Sequence, residues 1–282
     1  MKKRLWVSWA CVVLVALITV TILSISRDNG RYLRVSFLDV GQGDAIFIES
    51  PTGYQVLIDG GRDRSVLREL SREMHWYDRS IDLVIATHPD SDHISGLNDI
   101  LDRYRVAEIF DSGVVHDAPA AISFRKKSQA EGARMSAPLR GQVVDIGGGA
   151  YIEILFPDRP VPHLETNTAS IVVRVVYGAT SFMLTGDSPQ VIEEYLVYLD
   201  GSALQSTVLK AGHHGSRTSS SPQFVATVAP TYAVYSRGCD NSYGHPHKEV
   251  VAIFTQIGVQ VRDTCTDSRV TFISNGSTLI EQ

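Results

Sequence analysis

The chain has 282 residues, 44% hydrophobic and 20% charged, with 22 Gly and 11 Pro; with no low-complexity tract, these proportions exclude a disordered, collagen-like or coiled-coil protein. Its 26 Lys and Arg against 31 Asp and Glu give a net charge of −5, and taking Lys2, Lys3 and Arg4 from the cations leaves the remainder at −8. A body of that sign excludes a general polyanion binder.

Leu5 to Ile25 reads LWVSWACVVLVALITVTILSI, 21 residues without a charge. As a helix it spans roughly 30 Å, the thickness of a bilayer core, and reads as one N-terminal transmembrane helix. The three cations before it keep Met1 in the cytoplasm and send everything after Arg27 outward. The expected location is therefore the cytoplasmic membrane, single-pass, with the rest of the chain on the periplasmic or extracellular side. A signal peptide cleaved near Ser24 and Ser26 is the alternative and gives a secreted protein. Residues 1–30 are the anchor or signal with its linker, and 31–282 one domain. Cys11 falls in the apolar stretch, so Cys239 and Cys265 are the only pair in the outer domain; one disulfide and two unpaired core thiols both remain open.

Within the domain, strand-like runs at Leu33–Leu38, Ala45–Glu49 and Gln55–Ile58, with a turn at Pro51-Thr52-Gly53, predict an antiparallel meander. Val66, Leu67, Leu70 and Met74 recur at helical spacing, and Ile81–Ala86 suits a strand buried on both faces. A helix is expected over Ser95–Tyr104. Asp111–Gly149, polar and weakly periodic, reads as an elaborated or mobile insertion. Strands follow at Ser170–Tyr177, Ser181–Leu184, Thr207–Ala211, Tyr232–Tyr235, Val259–Arg262 and Val270–Ile273, with helices at Pro189–Leu199, Pro222–Val228 and Lys248–Ile257. This alternation predicts sheets covered by helices, with reactive groups where strands end.

Polar clusters occupy those strand ends. His88-Pro89-Asp90-Ser91-Asp92-His93 places four potential ligands, His88, Asp90, Asp92 and His93, within six residues, a crowding that a cation explains. In an extended loop such a segment can serve two metals about 3.5–4 Å apart; the alternative is a solvated polar turn. Asp187 follows an apolar strand, where it either ligates or caps the next helix. His213 and His214 lie in Gly-His-His-Gly-Ser. His245, in a Gly/Pro turn with His247, is a candidate to bind a substrate oxyanion or protonate a leaving group. Asp39, Gln42 and Asp44 surround the Gly41/Gly43 turn and, like Asp59 before Gly60-Gly61, read as groups that orient ligands.

FLDVGQGDA at 37–45, LIDGG at 57–61, THPDSDHISG at 87–96, LTGD at 184–187, LKAGHHGS at 209–216 and YGHPH at 243–247 carry a resemblance to the metallo-β-lactamase fold superfamily, most closely to the hydrolase domain of ComEC-type DNA-uptake proteins. The resemblance implies an α/β fold, an αββα sandwich, behind the transmembrane helix. The multi-pass channel of a full ComEC protein has no counterpart here. By resemblance His88 and Asp90 hold one metal and Asp92 and His93 the other, Asp187 bridges them, and His213 or His214 completes the second site. Asp90 stands where the superfamily usually has histidine, and no clear third-motif histidine precedes Asp187; His163 and Asn167 are the nearest polar residues. The first site is thus rich in oxygen, which admits Mn²⁺ or Mg²⁺ beside Zn²⁺, as one ion or two.

The expected activity is hydrolysis by a metal-held water oriented by Asp92 or Asp90. No Gly-x-Ser-x-Gly elbow or activated cysteine offers a covalent route. The substrate class is a phosphodiester, in nucleic acid strands such as single-stranded DNA or in small envelope compounds. An ester, lactone or amide hydrolase and a non-catalytic binding module are the alternatives. Arg125, Lys126, Lys127, Lys210 and Arg217 are the candidate cations for a nucleic acid track, with a solvated charged face as the plain alternative. Beyond the membrane, no protein partner can be inferred.

Overall fold

The computed structural model describes Trp9, residues 12–17 and residues 32–282. Residues 12–17 are helical, but most of the stretch read as a membrane helix lies outside the described residues, and no helix among the described residues is long and apolar enough to cross a membrane.

The expected meander is present as β1 (Leu33–Phe37), β2 (Ile46–Glu49) and β3 (Gln55–Ile58). Helix α1 (Ser65–Glu73) then crosses to β4 (Ser80–Ala86), α2 (Ser91–Leu101) to β5 (Arg105–Asp111) and α3 (Pro119–Glu131) to β6 (Arg134–Ser136), each new strand pairing in parallel with the one before. A second sheet opens with the antiparallel strands β7 (Val143–Gly147), β8 (Ala150–Phe156), β9 (Val172–Tyr177) and β10 (Thr180–Leu184). It continues in parallel through α4 (Gln190–Asp200), β11 (Val208–Lys210), α5 (Pro222–Val228), β12 (Tyr232–Tyr235), α6 (Lys248–Ile257) and β13 (Gln260–Asp263). After α7 (Thr264–Asp267), strands β14 (Val270–Ser274) and β15 (Leu279–Glu281) return to the edge of the first sheet, which then has eight strands to the second's seven.

Side-chain alternation builds the layers. Val35, Phe37, Ile46, Ile48, Val56, Ile58, Leu83 and Ile85 face Ile152, Ile154, Val173, Val175, Phe182 and Leu184 of the other sheet. Their neighbours Phe47, Leu57 and Val84 point the other way, onto Val66 and Leu70 of α1 and Ile94 and Leu97 of α2. The second sheet does the same with Met183 and Leu209, against Leu196, Phe224, Val225, Val250 and Phe254 of α4, α5 and α6. The result is an αββα sandwich whose three cores all lie within residues 33–272. A period of two on strands and 3.6 on helices is what these layers require.

Three sequence-based expectations change. Asp111–Gly149, read as an elaborated or mobile insertion, holds the regular elements α3, β6 and β7; α3 buries only Ala121, Phe124 and Ser128, too few to give a clear apolar stripe. Helix α2 starts at Ser91 rather than near Ser95, so Asp92 and His93 sit on its first turn, not on an extended loop. Finally, Cys239 and Cys265, left open above, form a disulfide with Cα atoms 4.9 Å apart, tying the loop after β12 to α7.

Close backbone approaches fix α2 in place. The Gly60 N–H donates to the His93 carbonyl (2.7 Å) and the Gly96 N–H to the Gly61 carbonyl (3.0 Å). A Cβ at Gly96 would stand 1.9 Å from the Gly60 oxygen, and one at Gly43 (φ 126°) would stand 1.9 Å from the Asp92 oxygen. Only glycine fits these two positions.

On α4, buried Glu193 accepts the Ser220 and Ser221 N–H groups (2.6 and 2.8 Å), pinning the segment after the histidine pair, and burial pushes its carboxyl up to about 7. An acid with a raised folded pKa contributes stability below its unfolded value near 4.5 that is lost as pH rises through 7. The stability of the protein minus that of Glu193→Gln, from denaturant unfolding, should therefore fall by about 2–3 kcal/mol between pH 5 and 8. A difference that does not change with pH would refute the shift.

Candidate metal centre

The sheets converge at one end, where loops after β3, β4, β10, β11 and β12 deliver the polar groups as strand ends generally do in such folds. Asp187, two residues beyond β10's last neighbour Thr185, is the hub. Its Oδ2 lies 3.2 Å from His93 Nε2, 3.3 Å from His214 Nε2, 3.6 Å from His213 Nε2 and 3.9 Å from His88 Nε2. Asp90 Oδ2 stands 3.8 Å from His88 Nε2, and Asp92 Oδ2 stands 3.6 Å from His214 Nε2. The residues nominated as ligands therefore gather around one carboxylate oxygen. Of the pair, His214 is buried and reaches both Asp187 and Asp92, whereas His213 is more exposed and holds Thr218 Oγ1 with Nδ1 (3.1 Å). Both have positive φ, 48° and 56°, a conformation uncommon outside glycine that turns both rings toward Asp187.

Each core imidazole is anchored through Nδ1. His93 Nδ1 meets Asp59 Oδ2 at 2.7 Å, His214 Nδ1 meets the Ser236 carbonyl at 2.8 Å, and His88 Nδ1 meets Thr87 Oγ1 at 3.0 Å. The Thr87 hydroxyl and N–H both donate to Asp59 (2.7 and 2.8 Å), so one buried carboxylate sets two rings. The Nε2 atoms of His88, His93 and His214 are buried with no hydrogen-bond partner. Such groups are costly unless something satisfies them, and three imidazole nitrogens beside carboxylate oxygens make the donor set of a divalent ion. The residues fit a metal. One ligand atom from each of Asp44, His93, Asp187 and His214 lies within 4.8 Å of the others.

The electrostatics follow from burial and crowding. Burial raises the Asp187 carboxyl, but His214, His93 and Lys210 outweigh it and hold its pKa well below the usual range. Burial disfavours charge on His93 and His214 as well, yet Asp187, with Asp59 at the first ring and Asp44 at the second, keeps both well above the ordinary value. His88, desolvated and next to His93, goes well below. Burial raises Asp90, while at Asp92 the neighbouring His214 and His93 outweigh burial and lower it.

Lys210 was read as a surface cation, but it is fully buried inside this cluster. Its Nζ lies 2.5 Å from Asp44 Oδ2 and 3.4 Å from Asp187 Oδ1 and donates to the Gly186 carbonyl (2.9 Å). A charge inside the apolar run Thr207–Ala211 is the signal that would have shown it. By fixing Oδ1 of Asp187, the ammonium leaves Oδ2 turned to the histidines. Asp44 in turn touches His214 Nδ1 (3.3 Å) and belongs to the cluster itself. Other nominated residues have partners elsewhere. Asp39 accepts the Gly41 N–H (3.3 Å) within its own turn, and Gln42 accepts the Gly238 N–H (3.3 Å), joining that turn to the loop after β12. The Asn167 side-chain oxygen is buried without a partner before β9, where neighbouring Thr166 bonds to Asp90 and Ser170 Oγ accepts the Asp187 N–H. His247 Nδ1 accepts the Arg217 backbone N–H (3.1 Å), and Lys127 binds Asp102 (2.6 Å) and the Asn98 carbonyl (3.0 Å), while Arg125 and Lys126 are exposed. His245 is buried beside the histidine pair, its ring 5.6 Å from that of His213, its Nδ1 unpartnered and its backbone clamped by Asn241; burial and the neighbouring histidines lower its pKa to about 4.

Breaking a buried ion pair from one side costs about 3–5 kcal/mol, because the other charge stays behind. Lys210→Met should lose that much in denaturant unfolding, and Asp44→Asn/Lys210→Met, which removes both charges, should recover most of it. A double variant no more stable than the single one would contradict the pairing.

Comparison with known proteins agrees with this geometry. The family model described as the metallo-beta-lactamase superfamily matches residues 38–238. The chain is 29% identical over 248 residues to ComE operon protein 3 of Bacillus subtilis (82% of this chain, 31% of that protein) and 33% identical over 217 residues to competence protein ComA of Neisseria gonorrhoeae (77% and 28%). It thus spans under a third of the length of these competence-type relatives. Among solved structures, Igni18, described as a metallo hydrolase from Ignicoccus hospitalis, matches with a TM-score of 0.53 at 15% identity over 85% of this chain and 98% of that one. CmlA, a diiron β-hydroxylase from Streptomyces venezuelae, matches with the same TM-score at 13% identity over 85% and 53%. With the motif residues gathered at the end of a two-sheet sandwich and the family model spanning most of the domain, the chain belongs to the metallo-β-lactamase superfamily.

Proposed function

We propose that the domain is a metal-dependent hydrolase of phosphodiesters, anchored by Leu5–Ile25 and acting on the outer side of the cytoplasmic membrane. The observation that carries the reading is the convergence of three buried, unpartnered Nε2 atoms on Asp187 Oδ2. His88, His93, His214 and Asp187 would hold the ion, with Asp90 and Asp92 on its more exposed side and Asp44 behind. A divalent ion bound there supplies Lewis acidity, lowering the pKa of water and polarising a substrate oxygen.

The chain's own residues do the rest. Asp59 and Thr87 hold the imidazole rings in one orientation, and Lys210 does the same for Asp187. Asp90 and Asp92, partly open to solvent, are placed to accept a proton from an attacking water. His245, its ring 5.6 Å from that of His213, is the side chain to bind a substrate oxygen or protonate a leaving group. The many carboxylates around three histidines favour a hard ion such as Mn²⁺ over an all-nitrogen zinc site, and an oxygen-rich site suits phosphoryl oxygens. The competence-type relatives make a nucleic acid strand one source of the phosphodiester. Lys210 is inside the core and Lys127 is paired, which favours short or small substrates over a long tracked strand.

Elemental analysis after Mn²⁺ or Zn²⁺ loading should show metal lost more completely from Asp187→Ala than from His88→Ala; undiminished metal in Asp187→Ala would contradict the hub. Hydrolysis of bis(p-nitrophenyl) phosphate should fall about 100-fold in His245→Ala with metal content unchanged. Full activity in that variant would remove His245 from the chemistry, and no turnover by the loaded protein would refute the hydrolase. Single-stranded DNA cleavage that falls steeply with salt would restore the strand-tracking reading.

A further inference from the structure

The first sheet has two distinct ends. Residues pair across it as Arg34 with Glu49, Glu49 with Gln55 and Val56 with Leu83, while Ser80 at the start of β4 faces Arg105 at the start of β5. Strands β1, β3, β4 and β5 therefore all begin at one end, and the metal centre lies beyond the other, where β3 and β4 finish. The seven residues of β4 separate the two ends by about 23 Å.

The loop leading into β4 carries an exposed aromatic tip at the end remote from the metal centre. Trp76 is 83% and Tyr77 66% exposed, among the highest values for large apolar side chains in the domain. The tip is rigidly held: His75 stacks on Tyr77 (5.2 Å between centroids, 4° between planes), Trp76 meets Tyr77 edge-on, and Asp78 accepts from Gln55 Nε2 at 2.8 Å. Beside it Arg79, Arg103 and Arg105 are exposed, and none is in an ion pair among the described residues. Arg79 lies over the Tyr104 ring (5.4 Å), and its backbone carbonyl accepts the Arg105 N–H (2.8 Å). Ordered indole and phenol rings ringed by unpaired guanidinium groups suit an interface that is apolar at depth and anionic at its surface.

The route of the chain says which interface. Leu5–Ile25 is uncharged, and seven residues, 26–32, lead from it to β1. Seven residues reach at most about 25 Å. β1 starts at the same end as the aromatic tip, so a membrane holding Leu5–Ile25 lies within reach of that end. We propose that Trp76, Tyr77, Arg79, Arg103 and Arg105 form a face that docks on a bilayer with anionic headgroups, turning the metal centre away from the lipid. This rests on the reading of Leu5–Ile25 as the anchor.

The described domain contains all three cores without that stretch, and Trp76 is its only tryptophan, since the other two are Trp6 and Trp9. Emission of residues 31–282 should shift to the blue with vesicles of phosphatidylcholine and phosphatidylglycerol, and lipids brominated in the acyl chain should quench it. Arg79→Ala/Arg103→Ala/Arg105→Ala should weaken partitioning about a hundredfold, at roughly a factor of five per arginine. Trp76→Ala/Tyr77→Ala, which has no tryptophan emission and is followed by co-sedimentation with the same vesicles, should bind them far more weakly while folding as before. No shift with these vesicles overturns the face, as does quenching by a single-stranded oligonucleotide in place of lipid. Retention of the full chain in vesicles after carbonate extraction tests the anchor separately. Retention without docking by the fragment refutes the face alone; docking without retention supports the face and refutes the anchor.

Discussion

The structure depends on gathering five carboxylates into one end of a sandwich. Asp44, Asp59 and Asp187 are buried, Asp90 and Asp92 stand at the rim, and no apolar core tolerates that concentration of negative charge without compensation. Lys210 supplies one fixed positive charge, touching two of the five. The same acids draw up the pKa values of His93 and His214, favouring a proton on each ring. A divalent ion would take over the role of those ring protons, because it needs the same Nε2 atoms. Metal affinity is thereby coupled to pH and to the rigidity of the shell that Asp59, Thr87 and Ser236 build around the rings.

The fold serves that cluster. Each loop that carries a ligand leaves the end of a strand buried on both faces, so its first residues are fixed before any charged side chain appears. Glycines permit the approaches that bring α2 against these loops, and Glu193 secures the segment after the histidine pair. The first turn of α2 presents Asp92 and His93 together, one toward His214 and the other toward Asp187. A helix positions these two side chains more firmly than the extended loop expected from the motif.

Much of this was legible in the sequence because strand ends are marked by abrupt changes from apolar runs to polar clusters. Ile81–Ala86 before His88 and Ser181–Leu184 before Asp187 are such boundaries, and their residues meet in space. Lys210 was not legible as a site residue, since a lone lysine next to a histidine pair looks like a solvated cation until its strand is seen to be buried. Asp44 was read as an orienting group at a distance, but loop closure by Gly43 brings it beside His214. Asp39 and Gln42 have the same local composition, yet they bond to backbone, Asp39 within its turn and Gln42 across to Gly238. The regular elements of 111–149 were missed where helix α3 buries few residues, and β8 was missed although Ala150, Ile152, Ile154 and Phe156 alternate plainly toward the interior.

The site and the aromatic tip occupy opposite ends of one sheet, so the strand scaffold that assembles the metal centre also sets its distance from any membrane that holds the chain. The account as a whole turns on the metal. Crystals of the domain soaked in Mn²⁺ and measured at wavelengths on either side of its absorption edge test it most directly. The account predicts an anomalous peak between Asp187 Oδ2 and the Nε2 atoms of His88, His93 and His214. A peak elsewhere on the surface, with none at Asp187 and these rings still turned inward, would contradict it.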